Sequence, residues 1–419
     1  MINGPCKAFI PLAFFLITAG CALKFDTQPV KPPVDGTVEP DLDATDLDHD
    51  QDDAEEDPIP DLLDDDAGEE DMTDADDPVG EDPAEEDAAE EDPVEEDPGE
   101  EEPTNPYFPL DYYTRDLCTD VEAIDISSLG LTAPDAGRRS RWGTFLGYVL
   151  SGDWGTAYGY NRTTMLLQVY VVRDTGTSPA RDYVVVHDDT NGEGIYVFAV
   201  APDNPLVVEV PYSLEHTGTL EQGCALLRGN TTDGGGWALL VGGTARCEST
   251  VTLPCDGTTV ECTGGTPEDF RRSDVAHNPN LIFHVVHRDL MTRDGAAIAA
   301  QIQGQSDASG ANAIISDGTT FDGTFPVGIS VAVRNSLRIS ISPWASAIHS
   351  CNDPADASSY TSDCQITNVQ GRETNGSGNL CSLDATSSAD RFLVLEQSLA
   401  MRGSTYHDEL TSAVLGLFP

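Results

Sequence analysis

Lysine is almost absent from this chain. The 419 residues include three, and none follows Lys31. That excludes a Schiff-base lysine and a Walker-type phosphate loop over the rest of the chain, since each needs a lysine amine. The positive charge from Pro106 onward is 18 arginines, and arginine cannot act as a base at neutral pH. Other absences exclude further chemistries. No CxxC pair occurs, which leaves a thiolate zinc cluster without its usual spacing. There is no HExxH of the zincin kind and no Gly-x-Ser-x-Gly elbow. The apolar run Ala8 to Ile17 falls short of the ~20 residues that cross a bilayer as a helix. Acidic residues outnumber basic ones 74 to 21, so nucleic acid is excluded as a partner by repulsion of its phosphates.

The acidity is local. From Asp26 to Asn105 there are 37 Asp and Glu against Lys31 alone, and Pro106 to Pro419 carries 37 acids and 18 Arg, a net −19. The acidic stretch is built from Asp, Glu, Pro, Ala and Gly, with near-repeats such as Glu90-Glu91-Asp92-Pro93-Val94 and Glu95-Glu96-Asp97-Pro98-Gly99. So few branched or aromatic side chains cannot bury enough surface to offset ordering entropy, so residues 21–105 read as a disordered linker. Fully stretched, its about 80 residues reach at most roughly 260 to 290 Å. Ahead of it, Lys7, the apolar run and Thr18-Ala19-Gly20 describe a signal peptide over residues 1–20. The ending Leu16-Ile17-Thr18-Ala19-Gly20-Cys21 resembles a bacterial lipobox, which implies lipidation of Cys21 and anchoring to a lipid bilayer. Ala22 after that Cys is similar to outer-membrane lipoproteins of the Gram-negative envelope.

Residues 106–419 alternate short apolar runs with helix-like segments. Strands are expected over Met165–Val172, Tyr183–His187, Ile195–Val200, Leu206–Val210 and Trp237–Val241, then Ala297–Ile302, Ala313–Ile315, Ile329–Val333 and Phe392–Leu395. Helices fit Thr219–Leu227, Pro279–Met291 and Thr405–Leu415. This mixture predicts one α/β domain of three layers around a mostly buried mixed sheet, preceded by the acidic tether. Apart from Cys6 and Cys21, eight cysteines remain. In an exported domain an even number reads as disulfides, with 105 possible pairings for eight. Cys255 and Cys262 bracket a tight turn and are the expected local pair, with Cys364 and Cys381 next.

Three polar stretches stand at expected strand ends or a helix entry, where α/β sheets collect ligands. His187-Asp188-Asp189-Thr190-Asn191-Gly192-Glu193 offers an imidazole with carboxylates, the donor types a hydrolytic zinc needs, or a turn bonded to its own backbone. The second stretch holds His216 in an irregular loop and Glu221 at a helix start, where a carboxylate also suits the helix dipole. In the third, Asp274 and His277 lead into a helix bearing His284 and His287. Those two are expected to point away from the core, opposite Ile282, Val286 and Leu290.

Taken in order, these pieces resemble the zinc-dependent amidohydrolases of the N-formylglutamate and poly-γ-glutamate hydrolase kind over about residues 160–330. The matching residues are His187 to Glu193, Pro211-Tyr212, Arg246, His277 to His287 and Gln303-Gly304. The resemblance implies zinc, but its three-ligand set does not carry over intact; a rearranged site would draw on His187, His216 and Asp189 as ligands, with Glu221, Arg246, Asp274 and His277 as candidate catalytic groups. Tyr212, Thr190 and Gln303 stand where that pattern carries His, Glu and His. The expectation is therefore a degenerate hydrolase-like domain that binds a cell-envelope ligand. The alternative is an active metal-dependent amidohydrolase acting on γ-glutamyl or cell-wall amide bonds.

A Cys21→Ser chain is expected to lose membrane partitioning. Detergent-free washing of membranes, followed by immunodetection, checks this; retention in the membrane fraction would refute the anchor.

Overall fold

The computed structural model describes residues 105–418, apart from 127–129, 231–232, 306–309, 321–322, 324–327, 358 and 361–362. The expected signal peptide, Cys21 and the acidic linker lie outside the described residues. Among the described residues no helix is long and apolar enough to cross a membrane.

Leu206–Val210 (β5), Ala238–Val241 (β6), Ile298–Gly304 (β9), Ala313–Ser316 (β10) and Phe392–Gln397 (β12) are buried at every position. A strand covered on both faces reads as a continuous apolar run, and these five belong to the middle of a sheet. The flanking strands are Asp111–Arg115 (β1), Gln168–Asp174 (β2), Arg181–His187 (β3), Ile195–Ala199 (β4) and Ile348–Ser350 (β11). The ten form one mixed sheet in the order β1-β2-β3-β4-β6-β5-β9-β12-β10-β11. Strands β6, β5, β9 and β12 run parallel to their neighbours in that block, while β2-β3-β4-β6 and β12-β10 pair antiparallel.

Helices cover both faces, giving the expected three layers. On one face Leu117–Glu122 (α1), Thr219–Arg228 (α4), Ile329–Ser340 (α6) and His407–Leu415 (α9) pack Leu117, Leu227, Leu337 and Val414 against Val208, Leu239 and Leu395. On the other, Ala136–Ser151 (α2), Trp154–Tyr160 (α3) and Ile282–Arg293 (α5) pack Trp142, Phe145 and Val286 against Val184, Tyr196 and Val207. Pro354–Ala357 (α7), Val369–Thr374 (α8) and the ribbon Thr258–Thr259 (β7) with Glu268–Asp269 (β8) complete the elements.

Two expectations change. The β-branched alternation at Ile329–Val333 forms the start of helix α6, not a strand. Its buried residues, Ser330, Val331, Val333, Arg334 and Leu337, recur at helical spacing once the window is lengthened. The disulfide pairings also differ: Cys118–Cys224, Cys247–Cys262, Cys255–Cys381 and Cys351–Cys364. Cys255 and Cys262 do not pair with each other, because the β7-β8 ribbon directs them to different neighbours. Cys262 folds back to the neck of the loop at Cys247, where Arg271 Nη1 donates to the Cys247 carbonyl at 3.1 Å. Cys255 meets the turn at Cys381, whose carbonyl accepts from Asp256 N–H at 2.7 Å. Cys364 pairs with Cys351 instead of Cys381.

The burst after β3 has a structural use. Arg138, from the first turn of α2, reaches Asp188 at 2.7 Å and Glu193 at 2.8 Å, and the Trp142 indole donates to Glu193 at 2.8 Å. Both carboxylates are 2 % exposed. Arg138→Ala is therefore expected to cost ~3 to 5 kcal/mol, because two buried charges lose their cation. Denaturant unfolding measures this; a cost below about 1 kcal/mol would contradict the arrangement.

Candidate functional site

The site lies beyond the C-terminal ends of β5, β9 and β12, where loops leave three parallel neighbours along one edge. After Val210, Pro211 lacks the N–H to continue the ladder, and the chain turns at Tyr212, whose carbonyl accepts from His216 N–H at 2.8 Å. This brings Tyr212, Glu215 and His216 to the edge. After β6, Gly242 passes so close to β5 that an added Cβ would sit 2.2 Å from the Pro211 carbonyl oxygen. That approach lets the next loop carry Arg246 over the ring of Tyr212, 3.8 Å from its centroid. From β9 come Gln303 and Gly304, and from β12 comes Glu396, the register partner of Gln303. Together they enclose a cleft of about 530 Å³.

Three of the four disulfides place its walls. Arg246 precedes Cys247 and Glu261 precedes Cys262, so one bridge ties both residues to the neck of the 242–270 loop. Asp363 and Gln365 flank Cys364. Cys255–Cys381 joins the two excursions to each other.

Hydrogen bonding within the cleft is directional. Asp274 Oδ1 accepts from the Tyr212 hydroxyl at 2.6 Å and from His277 Nδ1 at 2.8 Å, while the His277 ring stacks on Phe270 at 3.6 Å. Burial pushes the Asp274 carboxyl up, but His277 and Arg246 outweigh it and hold the group below the usual range. Tyr212 is raised well above its ordinary value, first by burial and then by Asp274. It is a neutral phenol whose proton is already committed.

His216 receives two donors. Gly304 N–H points at Nδ1 from 2.8 Å, and Arg246 Nη2 lies 2.8 Å from Nε2. A neutral imidazole has one lone pair for hydrogen bonding and one N–H, and a guanidinium only donates. One donor is therefore always left over. Burial, then the positive charges of Arg246 and Arg402, lower the His216 pKa to about 3, so the ring does not become a cation near neutrality. Glu396 moves the opposite way: burial, with Asp363 and Glu261, raises it to about 8, Arg246 and the Gln365 hydrogen bond opposing.

Of the sequence-expected residues, the cleft brings together His216, Arg246, Asp274 and His277. His187 and Asp189 pair with each other at 2.7 Å at the end of β3. Strands β4 and β6 lie between β3 and β5, so at about 4.8 Å per strand the two strand ends are about 14 Å apart. Glu221 is exposed in the first turn of α4. His284 and His287 do not face solvent: they are 2 % and 0 % exposed, because α5 is covered by the sheet and α8, and His287 faces Glu209 at 2.5 Å. Glu215, Gln303 and Glu396 carry site roles that the motif search did not assign. The available signal was a polar residue inside an apolar strand, as in Glu209, Gln301, Gln303 and Glu396.

The residues do not fit a zinc ion. Catalytic zinc takes three protein nitrogen, sulfur or carboxylate ligands. Here the phenol of Tyr212 donates to Asp274, the amide of Gln303 donates to Gln301, and His187 is not a cleft residue. Among the described residues no three His, Cys, Asp or Glu side chains are grouped to hold a metal.

The molecule is thus a three-layer α/β/α domain with a polar cleft at one edge of a ten-stranded mixed sheet. No family model and no curated protein matches the chain. Among solved structures it is similar to a Shewanella denitrificans OS-217 protein assigned as a carboxypeptidase A, at 10 % identity and a TM-score of 0.26. The match covers 56 % of this chain and 59 % of that one. A likeness this slight assigns no chemistry.

The two shifted groups predict a pH signature. Glu396 has a folded value above its ordinary 4.5, so its contribution to stability is present below about 4.5 and lost as pH rises through about 8. His216 is below its ordinary 6.5, so its contribution is lost as pH falls from about 6.5 toward 3. Thermal unfolding across this range is expected to show Glu396→Gln gaining on the parent as pH rises from 5 to 8. A constant difference would contradict the assignment.

Proposed function

We propose that this chain is an exported lipoprotein whose globular domain binds an anionic ligand of the cell envelope in the sheet-edge cleft and does not hydrolyse it. The observation that carries the reading is the donor surplus at His216. Gly304 N–H, the ring N–H and the Arg246 guanidinium converge where one ring lone pair serves as acceptor. An oxygen from a carboxylate or similar anion supplies the missing acceptor, and a charge-assisted bond to Arg246 is the stronger kind. Among the described residues no carboxylate forms an ion pair with that guanidinium; its contacts are the His216 ring and the Tyr212 face. The absence of hydrolysis is supported by Tyr212 and Gln303, which occupy ligand positions of the resembled hydrolase pattern with groups poorly suited to zinc. The tether and the lipidated Cys21 place the domain at a membrane in this reading.

Titration of the full chain with glutarate by calorimetry tests it. Arg246→Met is expected to weaken binding by on the order of tenfold or more, the loss of one charge-assisted contact. Unchanged affinity would remove the anion site. Release of free amine from γ-glutamyl or cell-wall peptides by the zinc-supplemented parent would restore the hydrolase.

A further inference from the structure

The cleft also presents acceptors, and a buried carboxylate sets their direction. Glu209 is fully buried in mid-β5. Its Oε1 meets His287 Nδ1 at 2.5 Å, and its Oε2 accepts from Gln301 Nε2 at 2.9 Å. With that amide nitrogen committed, Gln301 Oε1 accepts from Gln303 Nε2 at 2.5 Å and from Asn368 Nδ2 at 2.6 Å. A carboxylate only accepts, so turning either glutamine over would set N–H against N–H or oxygen against oxygen. The chain therefore runs one way and ends with the Gln303 side-chain oxygen at the cleft. Glu396 is the register partner of Gln303 on the adjacent strand and is 5 % exposed. Gln365 Nε2 occupies one Glu396 oxygen at 2.5 Å. The side-chain oxygens of Gln365 and Gln305, both cleft residues, are buried with no hydrogen-bond partner among the described residues.

We infer that the ligand is a zwitterion of the amino-acid or short-peptide class, its carboxylate at Arg246 and His216 and its ammonium at Gln303 and Glu396. This rests on the anion-binding reading above and extends it. An anion alone would answer the donors and leave the Gln303 oxygen at the cleft without a partner. A ligand with N–H donors answers both sets. The other charged and titratable groups of the cleft around Glu396 are Arg246, Arg402, Glu215, Glu261, Asp274 and Asp363, with His216 and His277. Near neutrality Glu396 holds a proton. An ammonium beside it favours the carboxylate, so binding transfers that proton to solvent while the ammonium keeps its own.

Calorimetry on the full chain in detergent at pH 7, with three probes, tests this. The probes are alanylalanine, N-propionylalanine (the same carboxylate without the ammonium) and alaninamide (the ammonium without the carboxylate). The dipeptide is expected to bind on the order of tenfold more tightly than N-propionylalanine. It should also release a proton, read as an enthalpy that varies with the ionisation enthalpy of the buffer. Glu396→Gln should erase the preference and the release while N-propionylalanine affinity is kept. Gln303→Leu should weaken the dipeptide alone. Equal affinity for the dipeptide and N-propionylalanine, or a preference that survives Glu396→Gln without proton release, overturns the zwitterion and leaves the anion site standing. If neither carboxylate binds, both readings fall.

Discussion

A polar side chain on a strand whose two faces are covered by helices has no water to turn to, and this constraint organises the molecule. An unpaired buried polar group costs about 1 to 3 kcal/mol, and a buried charge costs more. Glu209, Gln301, Gln303 and Glu396 interrupt strands that are otherwise apolar, all on the face that carries α2 and α5. Each therefore enlists another. Glu209 takes His287 from the helix above it and Gln301 from the next strand, and the amides continue to the cleft. The same rule accounts for Arg138, which answers Asp188 and Glu193 at the start of α2. It also accounts for Arg372, fully buried in α8 and answered by Asp256 and Asp384. These polar groups are connected ones, and the chain through Glu209, Gln301 and Gln303 ends at the cleft.

The sheet alone would leave that edge open. Its loops are long, rich in Gly, Thr and Ser, and carry few apolar side chains of their own. Leu253, Cys255 and Phe270 form only a small satellite cluster. A segment with so little core is held by covalent closure, and the bridges Cys247–Cys262, Cys255–Cys381 and Cys351–Cys364 supply it. Bridges of this kind restrict the unfolded chain more than they add contacts to the folded one. They let polar loops stand as walls, keeping Arg246, Glu261, Asp363 and Gln365 at the cleft. Cys118–Cys224 does a different job, tying α1 to α4 on the far side of the sheet.

The chemistry of the cleft follows from which protons are already committed. Tyr212 gives its proton to Asp274, His277 gives Nδ1–H to the same oxygen, and Gln303 gives an amide hydrogen to Gln301. Tyr212 and Gln303 are therefore not free to serve as a base or a metal ligand, while His277 keeps the lone pair of its other ring nitrogen. What stays uncommitted is a guanidinium, an imidazole short of a lone pair, and a carboxyl group held neutral by burial. In the proposed reading these donors and acceptors meet a ligand that brings both kinds of partner.

Much of the fold was legible from short-range pattern. Buried strands read as apolar runs because both faces are dry, so Leu206–Val210 and Ala238–Val241 stand where their composition puts them. Helices α4 and α9 follow their amphipathic spacing. Helix α2 was missed because its first turn is rich in Arg and its buried residues Trp142, Phe145, Leu146 and Val149 are interrupted by Gly143, Thr144, Gly147 and Tyr148. Part of the site was legible too: His216, Arg246, Asp274 and His277 are polar groups at strand ends or a helix entry, and they do converge. His187 and Asp189 satisfy the same local criterion and do not join them, since two strands intervene. By itself, the sequence determined composition-level facts: an acidic, core-poor stretch before a disulfide-rich α/β domain, with lysine chemistry excluded. Strand order, cysteine pairing and the direction of each buried hydrogen bond were decided only in the tertiary structure. Several of these depend on distances between residues 78 to 175 positions apart in sequence, which no local pattern contains.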